Sequence, residues 1–206
     1  VNTAGDGEIV KISPTGAQSI FASGLTPPRG LAFDAAGNVY QADLDSGNIY
    51  KYTPAGAQSL FASGYNYPTG IAFDSAGNLF VCSQAVGVFK VAPNGTSTLF
   101  ISEMDPRYLA FDATGNLYVT DAGDGSGDPG QGNVFVFTPA GAQSTFASGL
   151  SAPLGIVFGT STQGCPSPHP TPPLPNSPTR PNDPQTAHHP HSALLATATT
   201  TQNDII

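Results

Sequence analysis

The 206 residues suffice for one domain, or for one domain and a tail. With 24 Gly, 20 Pro and only 10% charged residues, the composition argues against a helical protein, because Gly and Pro are poor in helix interiors. The net charge of −8 disfavours nucleic-acid phosphates as partners, no run of about 18 apolar residues exists to span a membrane, and Cys82 and Cys165 make neither a disulfide framework nor a zinc site.

In chain order, the sequence enters a repeat part-way through a unit. Val1-Asn2-Thr3-Ala4-Gly5-Asp6-Gly7 aligns with Val119-Thr120-Asp121-Ala122-Gly123-Asp124-Gly125. Residues 1–22 therefore read as the end of a second strand, then a third and a fourth. Phe21-Ala22-Ser23-Gly24-Leu25 recurs at 61–65 and 146–150, with a diverged copy in Phe100-Ile101-Ser102-Glu103-Met104. The intervals are 40, 39 and 46 residues. Each copy leads into a second signature: Arg29-Gly30-Leu31-Ala32-Phe33-Asp34, Thr69-Gly70-Ile71-Ala72-Phe73-Asp74 and Arg107-Tyr108-Leu109-Ala110-Phe111-Asp112. A Gly-Asn pair follows each Asp, at Gly37-Asn38, Gly77-Asn78 and Gly115-Asn116. Thr-Pro-Ala-Gly-Ala-Gln-Ser stands at 53–59 and 138–144, and nearly so at 13–19.

Each unit predicts four short strands, in the first full copy at about 30–34, 38–43, 48–52 and 58–62. Leu31 with Phe33, Val39 with Tyr40, Ile49 with Tyr50 and Leu60 with Phe61 mark them. Asp34 to Asn38 forms the first hairpin turn, where Gly and Asn tolerate φ > 0 and the Asp is expected to accept backbone N–H bonds. Pro54-Ala55-Gly56 turns the outer hairpin. Four antiparallel strands per unit, repeated radially, predict an all-β fold, a β-propeller. Three full blades are encoded over 21–62, 61–101 and 100–147, and a composite fourth joins residues 1–22 to Leu154–Phe158. The propeller spans residues 1–159. All 12 Phe and 7 Tyr precede residue 159, whereas residues 160–206 carry ten Pro and no aromatic residue. That tail cannot offset its ordering entropy by burial and is expected to be disordered.

The run Pro-x-Gly-hydrophobic-Ala-Phe-Asp-x-x-Gly-Asn resembles an NHL repeat and the repeat of the gluconolactonase-like (SMP-30) propellers. Residues 28–43 and 68–83 carry it best, and the third copy has Tyr108 in place of the Gly. The resemblance covers about residues 1–159. It implies six blades, so that the chain is part of a longer propeller. It also implies, as one function, metal-dependent hydrolysis of a lactone or sugar-derived substrate, with a divalent metal held by a Glu, an Asn and an Asp facing the channel. Some of those ligands directly precede the Gly of Pro-x-Gly. Here that position holds Arg29, Thr69, Arg107 and Leu154, none of them Asn or Asp.

Candidate sites fall on the loops at the top face, which a rigid scaffold holds in place. Asp121, Asp124 and Asp128 lie on the longest insertion, and their carboxylates with Gly carbonyls are the oxygen donors that Ca²⁺ or another divalent cation takes. The same residues also read as a solvated Gly/Asp turn. Asp43 and Asp45 form a smaller acidic pair in the equivalent loop of the first blade. Arg29 and Arg107 occupy equivalent positions and predict a face for a carboxylate or phosphate; the alternative is ion pairing with Asp43 or Asp105. No catalytic set emerges. The reading is a binding or scaffold module for a small molecule, carbohydrate or peptide, with lactone hydrolysis as the alternative. Low Lys content and repeat-built β structure point to an exported bacterial protein, extracellular or periplasmic. A closed ring predicts a monomer; an open one predicts association through exposed strand edges.

Overall fold

The computed structural model describes residues 2–3, 7–123, 130–160 and 194–198. Strands β1 (Asn2–Thr3), β2 (Glu8–Ile12) and β3 (Gln18–Ala22) form a three-stranded sheet. Three complete blades follow. Blade one is β4 (Pro28–Phe33), β5 (Val39–Asp43), β6 (Asn48–Tyr52) and β7 (Gln58–Ser63). Blade two is β8 (Pro68–Phe73), β9 (Leu79–Ser83), β10 (Gly87–Val91) and β11 (Ser97–Ser102). Blade three is β12 (Pro106–Phe111), β13 (Leu117–Asp121), β14 (Gly132–Phe137) and β15 (Gln143–Leu150). Each blade pairs antiparallel in chain order, as the repeat predicts. Among the described residues there is no helix, hence none long and apolar enough to cross a membrane.

Burial follows the position of a strand in its blade. The second strands β5 and β9 are buried at every residue, because neighbouring blades cover both of their faces. The outer strands β3, β7 and β11 are largely exposed. First strands stack side by side, β4 on β8 and β8 on β12, with β1 against β4 and β16 (Ile156–Thr160) against β12. This stacking needs a glycine: a Cβ on Gly70 would lie 2.7 Å from Tyr108 Cα and 3.0 Å from the Arg107 carbonyl oxygen. Cys82, on β9, is a fully buried free thiol, and burial pushes its pKa up.

The first hairpin turn of each blade is built in the same way three times. Asp34 Oδ1 accepts the amides of Ala36 (3.0 Å) and Asn38 (2.8 Å), while Oδ2 accepts Asn38 Nδ2 (2.7 Å). Asp74 repeats this with Ala76 and Asn78, and Asp112 with Thr114 and Asn116. The expected role of the Asp is therefore observed. Burial works to raise the Asp34 and Asp112 carboxyls, yet the donated hydrogen bonds outweigh it and hold both below the usual carboxylate range.

A second device joins successive blades. The aromatic ring on the second strand sits between two Phe rings, one from its own outer strand and one from the next blade. Tyr40 lies 4.9 Å from both Phe61 and Phe73. Phe80 lies 5.2 Å from Phe100 and 5.0 Å from Phe111. Tyr118 lies 5.3 Å from Phe146 and 4.8 Å from Phe158. All six contacts are edge-on, the arrangement that aromatic quadrupoles favour. A lysine of the third strand caps two of the rings, Lys51 over Tyr40 and Lys90 over Phe80, each 5.4 Å from the centroid.

The sequence combines the two ends into one composite blade, whereas the structure keeps them in separate sheets. β16 pairs in parallel with β17 (Leu194–Ala198), and not with β1. Pairing at Leu194–Ala198 also gives regular backbone to five residues of the tail, while residues 161–193 and 199–206 lie outside the described residues.

Candidate functional site

Two features shape the end of the blades opposite the Asp turns. The first is a bulge at each Pro-x-Gly element. Pro28 pairs with Asp43 and Leu31 with Gln41, so one extra residue sits on β4. The same shift recurs between Pro68 and Ile71 and between Pro106 and Tyr108. Such bulges re-aim side chains near strand ends. Positions 29, 69 and 107 thus fall on three adjoining first strands.

Arg29 is exposed. Thr69 is buried, and its Oγ1 has no hydrogen-bond partner. Arg107 is half-buried and donates from Nη2 to Asp105 Oδ2 at 2.7 Å. Asp105 also accepts the Ala85 amide from the preceding blade (3.1 Å). Of the two readings open for Arg107, ion pairing with Asp105 is the one observed, and it leaves a partly neutralised guanidinium at the strand end.

The second feature is the residue that closes each second strand: Asp43, Ser83 and Asp121. Asp43 is buried and accepts the Thr26 hydroxyl through both oxygens, at 2.8 and 2.7 Å, and the Ser46 amide at 3.0 Å. Ser83 Oγ accepts the Asn66 amide at 2.9 Å. Asp121 Oδ1 accepts the Asp105 amide at 2.8 Å. Each side chain staples the loop that arrives from the previous blade. A main-chain bond runs beside each staple: Leu44 to Pro27, Gln84 to Asn66 and Ala122 to Asp105. Burial pushes the Asp121 carboxyl up in pKa, and hydrogen bonds from the Asp105 and Gly123 amides pull it back.

The sequence-predicted residues therefore divide. Asp43 and Asp121 are engaged in loop staples, whereas Asp45 is exposed. Asp124 and Asp128 lie outside the described residues. Among the described residues no group of three His, Cys, Asp or Glu side chains is close enough to hold a metal. Arg29 and Arg107 fall on equivalent bulges, as their spacing predicts. Sequence reasoning missed Gln41, fully buried, whose Nε2 donates to the Ala42 carbonyl oxygen at 2.6 Å while its Oε1 has no partner. The signal was present: Val81 and Val119 stand at the matching positions. A cavity of about 300 Å³ at the Asp-turn end, floored by Phe80, Phe100, Phe111 and Phe137 and rimmed by Lys90 and Asp74, was also not foreseen.

Strained backbone gathers at the loop end, opposite the Asp turns. Tyr67, Ala85, Glu103 and Ala152 all have positive φ, between 42° and 60°, and all lie in the connections that meet there. Non-Gly residues in this region carry a conformational cost and cluster at functional sites.

Four-stranded blades stacked by their first strands define a β-propeller. Solved structures agree. A gluconolactonase from Xanthomonas campestris is similar at 17% identity and a TM-score of 0.57, over 69% of this chain and 57% of that one. A structure of a nidogen/laminin complex matches at 22% identity and a TM-score of 0.62, over 72% and 61%. Virginiamycin B lyase from Staphylococcus aureus matches at 14% and 0.54, over 69% and 49%. The chain thus spans about half to three-fifths of the length of these neighbours. No protein-family model and no curated protein matches the sequence.

Proposed function

We propose that the chain is a propeller binding module whose loop end takes a carboxylate-bearing ligand, a sugar acid or an acidic peptide segment. One observation carries this reading: Arg29 and Arg107 occupy the same bulge on first strands that flank a third, whose Thr69 hydroxyl is buried and unpartnered. Guanidinium groups bind carboxylates through paired hydrogen bonds, and a rigid strand limits the entropy cost of doing so. An extracellular or periplasmic setting belongs to the proposal, on the strength of the low-Lys, Gly-rich composition.

Calorimetric titration with gluconate tests it. Saturable binding in the wild type, weakened at least tenfold by Arg29→Ala and by Arg107→Ala, is the expected result. Equal affinity in all three proteins would remove the arginines from the site.

A second reading, metal-dependent lactone hydrolysis, draws on the gluconolactonase neighbours and on the buried Asp121. Its test is thermal unfolding with millimolar Ca²⁺ and with a chelator, because a cation bound only by the folded chain must raise the midpoint. An upward shift lost in Asp121→Ala, Asp124→Ala and Asp128→Ala favours it; an unchanged midpoint counts against it.

A further inference from the structure

The cavity of about 300 Å³ lies between blades two and three, at the end of the blades away from Arg29 and Arg107. Blade two lends it Asp74, Phe80, Lys90 and Phe100, and blade three closes it with Phe111 and Phe137. Its volume stands at the lower end of the range for small-molecule sites, and apolar rings with a few placed polar groups are the lining such sites have.

Blade one shows what the polar groups at this rim can hold. Tyr40 and Phe80 are the central rings of equivalent aromatic sandwiches, and their surroundings agree closely. Lys51 and Lys90 each stand 5.4 Å over their ring, at 3.8 Å from Asp34 Oδ2 and 3.7 Å from Asp74 Oδ2. The same two oxygens accept Asn38 Nδ2 at 2.7 Å and Asn78 Nδ2 at 2.8 Å. The rings themselves differ by one atom. Tyr40 Oη donates to Asp34 Oδ2 at 3.3 Å, whereas Phe80 has no hydroxyl to offer Asp74. Blade three also carries Tyr at this position, Tyr118, so blade two departs from both of its neighbours. Asp74 Oδ2 and Lys90 Nζ thus present an acceptor and a donor side by side at the edge of a floor of Phe rings.

We infer that this cavity binds a small neutral phenol. The ligand hydroxyl stands where Tyr40 puts its own in blade one, donating to Asp74 Oδ2 and accepting from Lys90 Nζ. The ligand ring lies against Phe111 and Phe137. Hydrogen bonds to charged groups orient the hydroxyl, and edge-on contact with the Phe rings holds the apolar part. A carboxylate in place of the hydroxyl would meet Asp74 as a like charge, and a ring without a hydroxyl leaves the pair unbridged, so the site selects against both. A phenol here and a sugar acid at the arginines meet different residues at opposite ends of the blades, so either can fail without the other.

Fluorine NMR of the full chain tests this with 4-fluorophenol, and with fluorobenzene as the probe that has no hydroxyl. Saturable binding of 4-fluorophenol is expected, with fluorobenzene at least tenfold weaker. Phe80→Tyr supplies the hydroxyl from within the chain, as Tyr40 does, and should weaken 4-fluorophenol at least tenfold while the thermal midpoint is kept or raised. Where Phe80→Tyr lowers the midpoint, Lys90→Met takes its place, at a side chain 40% exposed, and a loss of at least threefold is expected. No saturable binding up to the solubility limit overturns the inference, and so does equal affinity for the two probes. Unchanged affinity for 4-fluorophenol in the folded variant puts the phenol elsewhere on the chain and overturns it as well.

Discussion

The two ends of each blade follow different rules. At the turn end, Asp34, Asp74 and Asp112 make the same bonds to the same positions, and the left-handed residues are glycines, such as Gly37, Gly77 and Gly115. At the loop end, Asp43, Ser83 and Asp121 share one position yet hold their loops through different partners, and non-Gly residues such as Tyr67 and Glu103 join glycines in carrying positive φ. Identical chemistry at one end marks the part of the repeat that folding requires. Variation and strain at the other mark the end where the proposed carboxylate-bearing ligand would bind.

This contrast can be broken or sharpened by mutation. The largest effect is expected from Gly70→Ala, because the loop end is varied but not slack. The added methyl would press on the Tyr108 and Arg107 backbone, costing about 3 kcal/mol in urea denaturation. A negligible loss would mean that the first strands can part freely. Next comes Asp74→Ala, which removes three hydrogen bonds to one carboxylate and should cost about 2 kcal/mol. The matching change at the loop end, Ser83→Ala, removes one acceptor and should cost about 1 kcal/mol by the same assay. Glu103→Gly should stabilise by about 1 kcal/mol, since Glu103 holds a φ of 60° where its counterparts Gly24, Gly64 and Gly149 are glycines. A gain in midpoint without altered ligand affinity would separate strain from binding at that loop.

Acid gives the mildest test. The Asp34 and Asp112 carboxyls are held below their unfolded range, so the stability they contribute is present above the unfolded value of about 3.9. It is lost as pH falls through the lowered folded values. Asp121 has the opposite sign: its raised carboxyl favours the protonated fold, so stability declines as pH rises from the unfolded value through the folded one. Thermal melts of Asp34→Asn with Asp112→Asn should show a flatter acid limb than wild type, and those of Asp121→Asn a steeper rise with pH above the unfolded value.

Much of this was legible in the sequence because the repeat prints it several times. Strands read at 38–43 and 48–52 appear at Val39–Asp43 and Asn48–Tyr52, and the Asp-to-amide bonds of the turn follow from Asp-x-x-Gly-Asn spacing alone. The loop end was read less well. Whether Asp43 faces solvent or the Thr26 hydroxyl depends on the arrival angle of a loop from the preceding blade, which local pattern does not encode. The separate fates of the two terminal sheets had the same cause, since pairing between distant strands turns on length and register together. The aromatic sandwiches lay in plain sight as Phe and Tyr spacings, but only the fold shows that successive blades share each one.

Cys82 turns the architecture into its own clock. Its thiol is fully buried on β9, with its proton held by burial, so an alkylating reagent reaches it only when blade two opens. The rate of modification at this sulfur, located by peptide mass and followed across denaturant, reports how often the middle blade breathes while its neighbours stay folded. In an array where each blade contacts only the next, that single number separates stepwise fraying from all-or-none collapse.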